Sequence, residues 1–377
     1  MTHSPWNLLA VIAALIWVAI LLLPWRPWDT REAIDSVSGS HGVDLSDITA
    51  VIPARNEAGV IARTLKGLQA QGHDLSIILV DDSSTDGTPV VAQDRGGENL
   101  RVIFGEPLPP DWSGKLWALE QGCRHVHTPL TLLLDADIEL QPGIVGTLRQ
   151  KMKEDDLHFA SLMAQMGMAS LGERWLMPAF VYFFKMLYPF RLSNSGFSHV
   201  AAAAGGCILL ETRLIREIGG FEAIRAELID DCALAKRVKA KGYRTWIGLT
   251  HSAQSLRSYD RLAGIWNMVA RTAFCQLRYS VLLLTGTTVG ILLVFWLPVG
   301  GLFFPVVSAK VISAGALAAM ILSYLPVLSF YRRSKGWALT LPLIAGLYLL
   351  MTWSSAIRHW AGAGSSWKGR RYHTIPK

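Results

Sequence analysis

Residues 8–23, LLAVIAALIWVAILLL, form one apolar run without a charge, and no other stretch limits the folds open to this chain so sharply. A helix of that length comes close to crossing a hydrocarbon core about 30 Å thick. Trp6 and Trp25-Arg26 bound it, as residues at a bilayer interface do. A cleaved signal is the competing reading. Residues 1–7 hold no Lys or Arg and no small-residue cleavage site follows, so the run is expected to stay as an anchor. The chain turns apolar again near residue 280, where 281–304, 311–330 and 337–353 are each long enough to enter a bilayer. Gly286, Gly290, Pro298, Gly300 and Gly301 fall in the first of these, which membrane helices tolerate. A soluble bundle of buried helices would carry more charge than these segments do.

Charge placement gives an orientation. The chain has a formal net charge of +7 with only 17% charged residues. Arg26, Arg31, Arg332, Arg333, Lys335, Arg370 and Arg371 stand beside apolar segments, which suits lipid headgroups. No zinc-finger spacing and no basic region with heptads is present, so nucleic acid is not an expected partner. No Lys or Arg precedes the first run, while Arg26 and Arg31 follow it, so the region beyond belongs in the cytoplasm. Arg271 and Arg278 agree with that side. The tail conflicts: with four spans it lies outside, yet it carries Arg358, Lys368, Arg370, Arg371 and Lys377. Either the rule fails there or one C-terminal segment lies in the interface or re-enters. Cys123, Cys207, Cys232 and Cys275 form no CxxC pair, and buried, reduced thiols fit a reducing compartment.

Between the apolar ends, strand-like and helix-like stretches alternate. Residues 48–52, 77–80, 101–104 and 130–134 read as short apolar strands, and 57–71, 113–126 and 232–241 as helices. Such alternation predicts an α/β fold with a mainly parallel sheet covered on both faces. The expected division is an anchor over 1–29, an α/β domain with interfacial helices over 30–278, an apolar membrane region over 279–357 and a basic tail over 358–377.

Three acidic clusters lie within that domain. Asp81-Asp82-Ser83-Ser84-Thr85-Asp86-Gly87 follows an apolar strand, at the strand end where open α/β sheets bind ligands. Asp86-Gly87 alternatively forms only a turn. Leu134-Asp135-Ala136-Asp137 again ends a strand in carboxylates. If the chain stays extended there, Asp135 and Asp137 face one side, a repulsion that a hard cation such as Mg²⁺ or Mn²⁺ relieves. Exposed loop acids are the alternative. Glu227-Leu228-Ile229-Asp230-Asp231 opens a helical stretch, where acids also serve as ordinary caps and dipole partners.

Together the three clusters resemble family 2 glycosyltransferases of the GT-A fold, across about residues 47–250. Pro53-Ala54-Arg55-Asn56-Glu57 looks like that family's first-strand motif, which contacts the nucleotide, and Trp112-Ser113-Gly114-Lys115 looks like its sugar-nucleotide segment. Gly205-Gly206 and Gly219-Gly220-Phe221 resemble its acceptor side. The resemblance implies that Asp82 contacts the nucleotide, that Asp135 and Asp137 form the metal-binding D-x-D, with Asp135 also touching the donor, and that Asp231 is the catalytic base. Asp230 stands where the family has Glu. A divalent cation would stabilise the departing diphosphate, and a carboxylate opposite it would take the acceptor's proton, inverting the sugar carbon. The expected activity is that of a hexosyltransferase (EC 2.4) using a UDP-sugar.

The processive signature Q-x-x-R-W is absent. Arg257, Arg261 and Arg271 lie where an equivalent arginine would act on the diphosphate, or are ordinary surface charges. No dinucleotide or P-loop motif occurs, and His125 and His127 lack zinc-ligand company. The aromatic stretch Trp175–188 reads as an interfacial segment admitting a lipid, or as a helix packed under the domain. Trp175 and Arg271 join Gly205 and Gly206 as acceptor-side candidates. The whole plan is similar to ceramide and carotenoid glucosyltransferases, and most similar to the membrane glycosyltransferases associated with hopanoid biosynthesis. It implies transfer of one sugar to a membrane lipid by a multi-pass protein of the inner (plasma) membrane with a cytoplasmic catalytic domain. A processive polysaccharide synthase and a non-catalytic nucleotide-sugar binder are the rival readings.

Overall fold

The computed structural model describes residues 4–37, 42–197 and 199–362, with the backbone of 365–367 and 370–372. Lys368 and Lys377 of the basic tail lie outside the described residues, as do the side chains of Arg370 and Arg371. The chain forms two compact units. One gathers Met1–Arg31, Met168–Arg191 and Tyr259–Ser365, and the other gathers Glu32–Gly167, Leu192–Ser258 and the chain end.

The second unit is built on an eight-stranded sheet. Its strands are β1 (Ile48–Ala54), β2 (Ser76–Asp81), β3 (Leu100–Phe104), β4 (Leu130–Leu134), β5 (Ile138–Leu140), β6 (Phe159–Gln165), β7 (Cys207–Glu211) and β8 (Thr245–Ser255). Their spatial order is β3-β2-β1-β4-β7-β6-β8-β5. β3, β2, β1 and β4 run parallel, and β6 runs parallel to β8. β7 opposes both β4 and β6, and β5 opposes β8. The apolar runs are continuous because both faces are buried. Ala50, Ile52, Ile77, Leu79, Leu132 and Leu134 enter one core, and Val51, Ile78, Val80 and Leu133 enter the other.

Helices Ile61–Gln69, Thr88–Arg95 and Gly114–Cys123 link the parallel strands. The first begins at Ile61 instead of Glu57, because the amides before it are spent elsewhere. Glu57 N donates to Thr88 Oγ1 at 2.8 Å and Ala58 N to Asp86 Oδ2 at 3.0 Å. Ser113 caps the third helix by accepting from Leu116 N. That helix lies hard on the sheet: a Cβ at Gly122 would stand 2.5 Å from Val51 Cγ1.

The first unit is helical. Pro5–Leu22, Val281–Gly301, Val307–Phe330 and Lys335–Trp360 are long and apolar enough to cross a membrane. A π-helical turn, Leu292–Trp296, interrupts the second of these, and the Val294 carbonyl within it accepts from Trp17 Nε1 at 2.7 Å. Helix Leu171–Leu187, the aromatic stretch, packs into this unit with Leu176, Met177 and Tyr182 fully buried. Its start carries a capping box between Ser170 and Glu173. Glu173 Oε2 accepts from Ala169 N and Ser170 N, and Oε1 accepts from Tyr259 N at 2.6 Å.

Candidate functional site

The site follows from where strands end. The β1–β4 ladder stops at Val51 opposite Leu133, so the two strands part before Pro53 and Leu134. Strand order reverses at this pair, which is where open α/β sheets form their ligand crevice. Pro53 is tolerated because no β4 amide or carbonyl faces it. The cleft that opens is lined by Pro53, Lys115, Asp135, Gly205, Asp230 and Asp231 over an apolar floor including Leu133 and Phe221.

The acids after β4 do not continue as an extended strand. Ala136 and Asp137 lie in a turn closed by Ile138 N donating to Asp135 O at 3.1 Å. The turn, and not strand alternation, brings both carboxylates to one rim. Lys115 Nζ is 2.8 Å from Asp135 Oδ1 and 3.6 Å from Asp230 Oδ2. Burial would lower the Lys115 pKa, but the charges of Asp135, Asp230 and Asp231 outweigh it and hold the ammonium protonated. Burial raises the Asp135 carboxyl against the pull of Lys115, and the Asp137 charge adds to the rise. Asp137 is itself paired, with Arg257 Nε 3.0 Å from its Oδ2.

β7 explains Gly205 and Gly206. Because it runs against β4, its first residue, Cys207, sits beside Leu134, the last residue of β4. The glycines just before it therefore reach the cleft, and Gly206 O accepts from Asp135 N at 3.1 Å. Gly205 N donates to Asp231 Oδ2 at 2.8 Å, and Cys232 N donates to Oδ1 at 2.7 Å. Lys115 Nζ would lie 3.1 Å from a Cβ at Gly205, so glycine leaves room for this approach. Asp231 stands in the first turn of helix Asp230–Ala240. Burial, and then the Asp230 charge, push its carboxyl up to about 6.

The Pro53–Glu57 segment meets the loop after β2. Arg55 Nη1 donates to the carbonyls of Asp82 and, at 3.2 Å, Ser83. Asn56, at φ 53°, accepts from Thr85 N at 2.8 Å. Asp86 accepts from Ala58 N and Thr88 N, so it staples the two loops. Ala54 is fully buried, and Asp82 is 3% exposed with Arg55 Nη1 3.8 Å from its Oδ2. Neighbouring Asp81 is also buried, and its Oδ1 has no hydrogen-bond partner among the described residues. Sequence reasoning passed over Asp81. The available signal was its position as the last residue of β2, but a doubled acid does not say which carboxylate faces a ligand.

Thus Pro53, Lys115, Asp135, Gly205, Asp230 and Asp231 share one cleft, with Asp137 in the turn beside it. Arg55, Asn56, Glu57 and Asp82 knit the adjoining loops. Trp175 and Arg271 stand in the helical unit, where Trp175 Nε1 donates to Thr340 Oγ1 at 2.8 Å and Arg271 is exposed. Burial pushes the Cys207 thiol up to about 12 and raises Cys232 as well, so both are inert packing thiols.

Comparison with known proteins gives this arrangement a family. Residues 49–219 match the sequence model of glycosyl transferase family 2. The chain carries a family 2 glycosyltransferase domain. Among curated relatives of this domain, the 4,4'-diaponeurosporenoate glycosyltransferase of Staphylococcus haemolyticus is 31% identical over 120 residues, 32% of this chain and 32% of that protein. The enzyme of the same name from Staphylococcus aureus (strain USA300) is 34% identical over 102 residues, 27% of each chain. The chain thus aligns with about a third or less of these relatives' length. Among solved structures, a mannosyltransferase of Pyrobaculum calidifontis in complex with GDP-Man and Mn²⁺ is similar with a TM-score of 0.54 and 17% identity. The match covers 94% of this chain and 99% of that one. The family 2 domain has the GT-A fold: a mixed, mainly parallel sheet with flanking helices.

Proposed function

We propose that this protein is an inverting glycosyltransferase that moves one sugar from a nucleoside-diphosphate sugar to a hydroxyl of a membrane lipid. The observation that carries the reading is the convergence of Lys115, Asp135, Asp230 and Asp231 on one cleft at the carboxyl ends of β1 and β4. The family 2 match and the four apolar helices support it. Lipid as the acceptor draws on the carotenoid-type names of the curated relatives, and a hopanoid-like lipid is the acceptor class that the sequence plan favours.

The donor side is the rim holding Pro53–Glu57, Asp81, Asp82, Lys115 and Asp135. Asp81 Oδ1, buried without a partner, suits a hydrogen-bond donor of the nucleoside. Among the described residues no group of three or more His, Cys, Asp or Glu could hold a metal ion alone. Asp135 and Asp137 nevertheless fit one. They are two hard carboxylates at one turn, and each uses one oxygen in its ion pair. Mg²⁺ commonly takes one or two protein carboxylates and fills the rest of its shell with phosphate and water. When bound, such a cation stabilises the charge left on the departing diphosphate.

Asp231 is the general base. Two backbone amides fix its carboxylate, and a pKa of about 6 leaves it ionised at neutral pH yet able to accept a proton. It takes the proton of the acceptor hydroxyl as the oxygen attacks the anomeric carbon. Lys115 holds Asp135 on one side and the Asp230–Asp231 pair on the other, so donor and base keep a fixed spacing. Gly205 and Gly206 are assigned to the acceptor side of the cleft.

The test is incubation of the purified protein in lipid with UDP- and GDP-sugars, followed by mass spectrometry of extracted lipids. A lipid heavier by one hexose is expected. A ladder of longer products would replace single transfer with polymer synthesis.

A further inference from the structure

The charges lining the cleft are uneven. Among the described residues of its lining Lys115 alone is basic, against Asp135, Asp230 and Asp231, and the rest is apolar side chains, proline and glycine. Lys115 is already shared between Asp135 at 2.8 Å and Asp230 at 3.6 Å. The guanidinium groups at the rim are committed too. Arg55 donates to the Asp82 and Ser83 carbonyls, and Arg257 pairs with Asp137 and faces Glu57.

A helix start usually offers open amides to an anion. Helix Asp230–Ala240 begins in this cleft, but its own carboxylate fills that place. Cys232 N donates to Asp231 Oδ1, and Gly205 N donates to Oδ2. Asp230 stands beside it, its side chain 22% exposed. An apolar floor screens charge poorly, so like charges repel more strongly here than in water. Donor binding leaves this balance alone, because the negative charge of a diphosphate offsets the cation that accompanies it.

We propose that the acceptor presents its hydroxyl from an uncharged head group, and that Asp230 and Asp231 together exclude lipids whose reacting end is a phosphate or a carboxylate. The assignment rests on the reading of Asp231 as the base, which sets the acceptor oxygen against that carboxylate. A neutral hydroxyl enters as a hydrogen-bond donor to Asp231. Its proton goes to Asp231, its oxygen bonds to the anomeric carbon, and the bond to the nucleoside diphosphate breaks. Only a nucleophile that arrives protonated needs such a base. An anionic oxygen needs none, brings a further negative charge against Asp230, and meets no uncommitted cation among the described lining residues.

Lipids extracted from cells that naturally make the protein, separated on an anion exchanger into uncharged and acidic fractions, test this. Each fraction is offered in phosphatidylcholine vesicles to the full chain with Mn²⁺ and a radiolabelled UDP- or GDP-hexose. The uncharged fraction should take up more label by on the order of tenfold or more, as expected when like charges are forced together. The product should survive mild alkali, as a glycoside does and a sugar ester does not. Asp230→Asn should narrow the preference several-fold. Equal or greater labelling of the acidic fraction, or release of the label by mild alkali, overturns the assignment. So does an unchanged preference in an Asp230→Asn variant that still labels lipid. No label from the unfractionated extract with any donor would bring down the proposed transfer itself, a result distinct from transfer to an acidic lipid.

Discussion

Asp231, the proposed base, is where the proposed chemistry becomes most specific. Asp231→Asn keeps the shape but only one of the two amide contacts, since its NH2 cannot accept, and it cannot take a proton. It should lower kcat by roughly 10²–10⁴, the usual worth of a positioned base. UDP or GDP binding measured by calorimetry should stay intact, and equal loss of nucleotide affinity would move Asp231 to the donor site. The pH profile carries a second expectation. A base works when ionised, and burial with Asp230 nearby lifts Asp231 to about 6. The rate should therefore fall as pH drops through about 6 and stay level above it. An acid limb near the ordinary carboxylate range would contradict the burial argument. At this scale the sequence exposed residue types better than partners. The acid at Asp231 is legible because it opens a helix beside a second acid. Its hydrogen bond from Gly205 joins remote segments, and no local pattern encodes it. Arg257 could be singled out only as one of several arginines, since its pairing with Asp137 depends on β8 lying beside β5.

Among the elements, the parallel half of the sheet was readable because each strand is a short apolar run ending in turn residues. The order of the other half was not, since β7 inserts between β4 and β6 against their direction, and such pairing depends on distant contacts. The acidic turn is the instructive difference. Strand alternation would have put Asp135 and Asp137 on one face, yet a turn does so here because β5 must reverse onto β8. That geometry depends on Gly67 in helix Ile61–Gln69, where a Cβ would lie 2.9 Å from both Leu140 N and Leu140 O. Gly67→Ala should cost about 1–3 kcal/mol through overpacking against β5 backbone, visible as a lower unfolding midpoint. A variant as stable as the parent would mean that β5 yields. In the helical unit, Glu173→Ala removes an acceptor shared by three backbone amides. It should cost about 1–3 kcal/mol by leaving the helix start uncapped and the half-buried donors Ser170 N and Tyr259 N unpaired. A melting temperature within error of the parent would show that water replaces the carboxylate.

For the whole molecule, composition foretold the split character but not the division of segments. The apolar ends were evident as long uncharged runs. The segment Met168–Arg191 joins the helical unit, although in sequence it sits between β6 and β7 of the sheet. Its aromatic density left both a packed and an interfacial reading open, because amphipathic and buried helices share residue types. With four apolar helices, the protein should remain in the pellet after alkaline carbonate extraction of membranes. If arginine placement sets orientation, a protease should cut the catalytic unit in inverted vesicles and spare it in right-side-out ones.

The position of β8 has a consequence for biosynthesis. It is the last strand of the large sheet to be made, yet it lies between β6 and β5. Among the described residues β5 pairs with no strand but β8, so the acidic turn beside it lacks its partner until residues near 255 have left the ribosome. A nascent chain halted earlier would expose two open edges and hold an unfinished pair of carboxylates. Partial translation products should therefore be inert and dependent on chaperones, and the capacity to react should appear late and all at once.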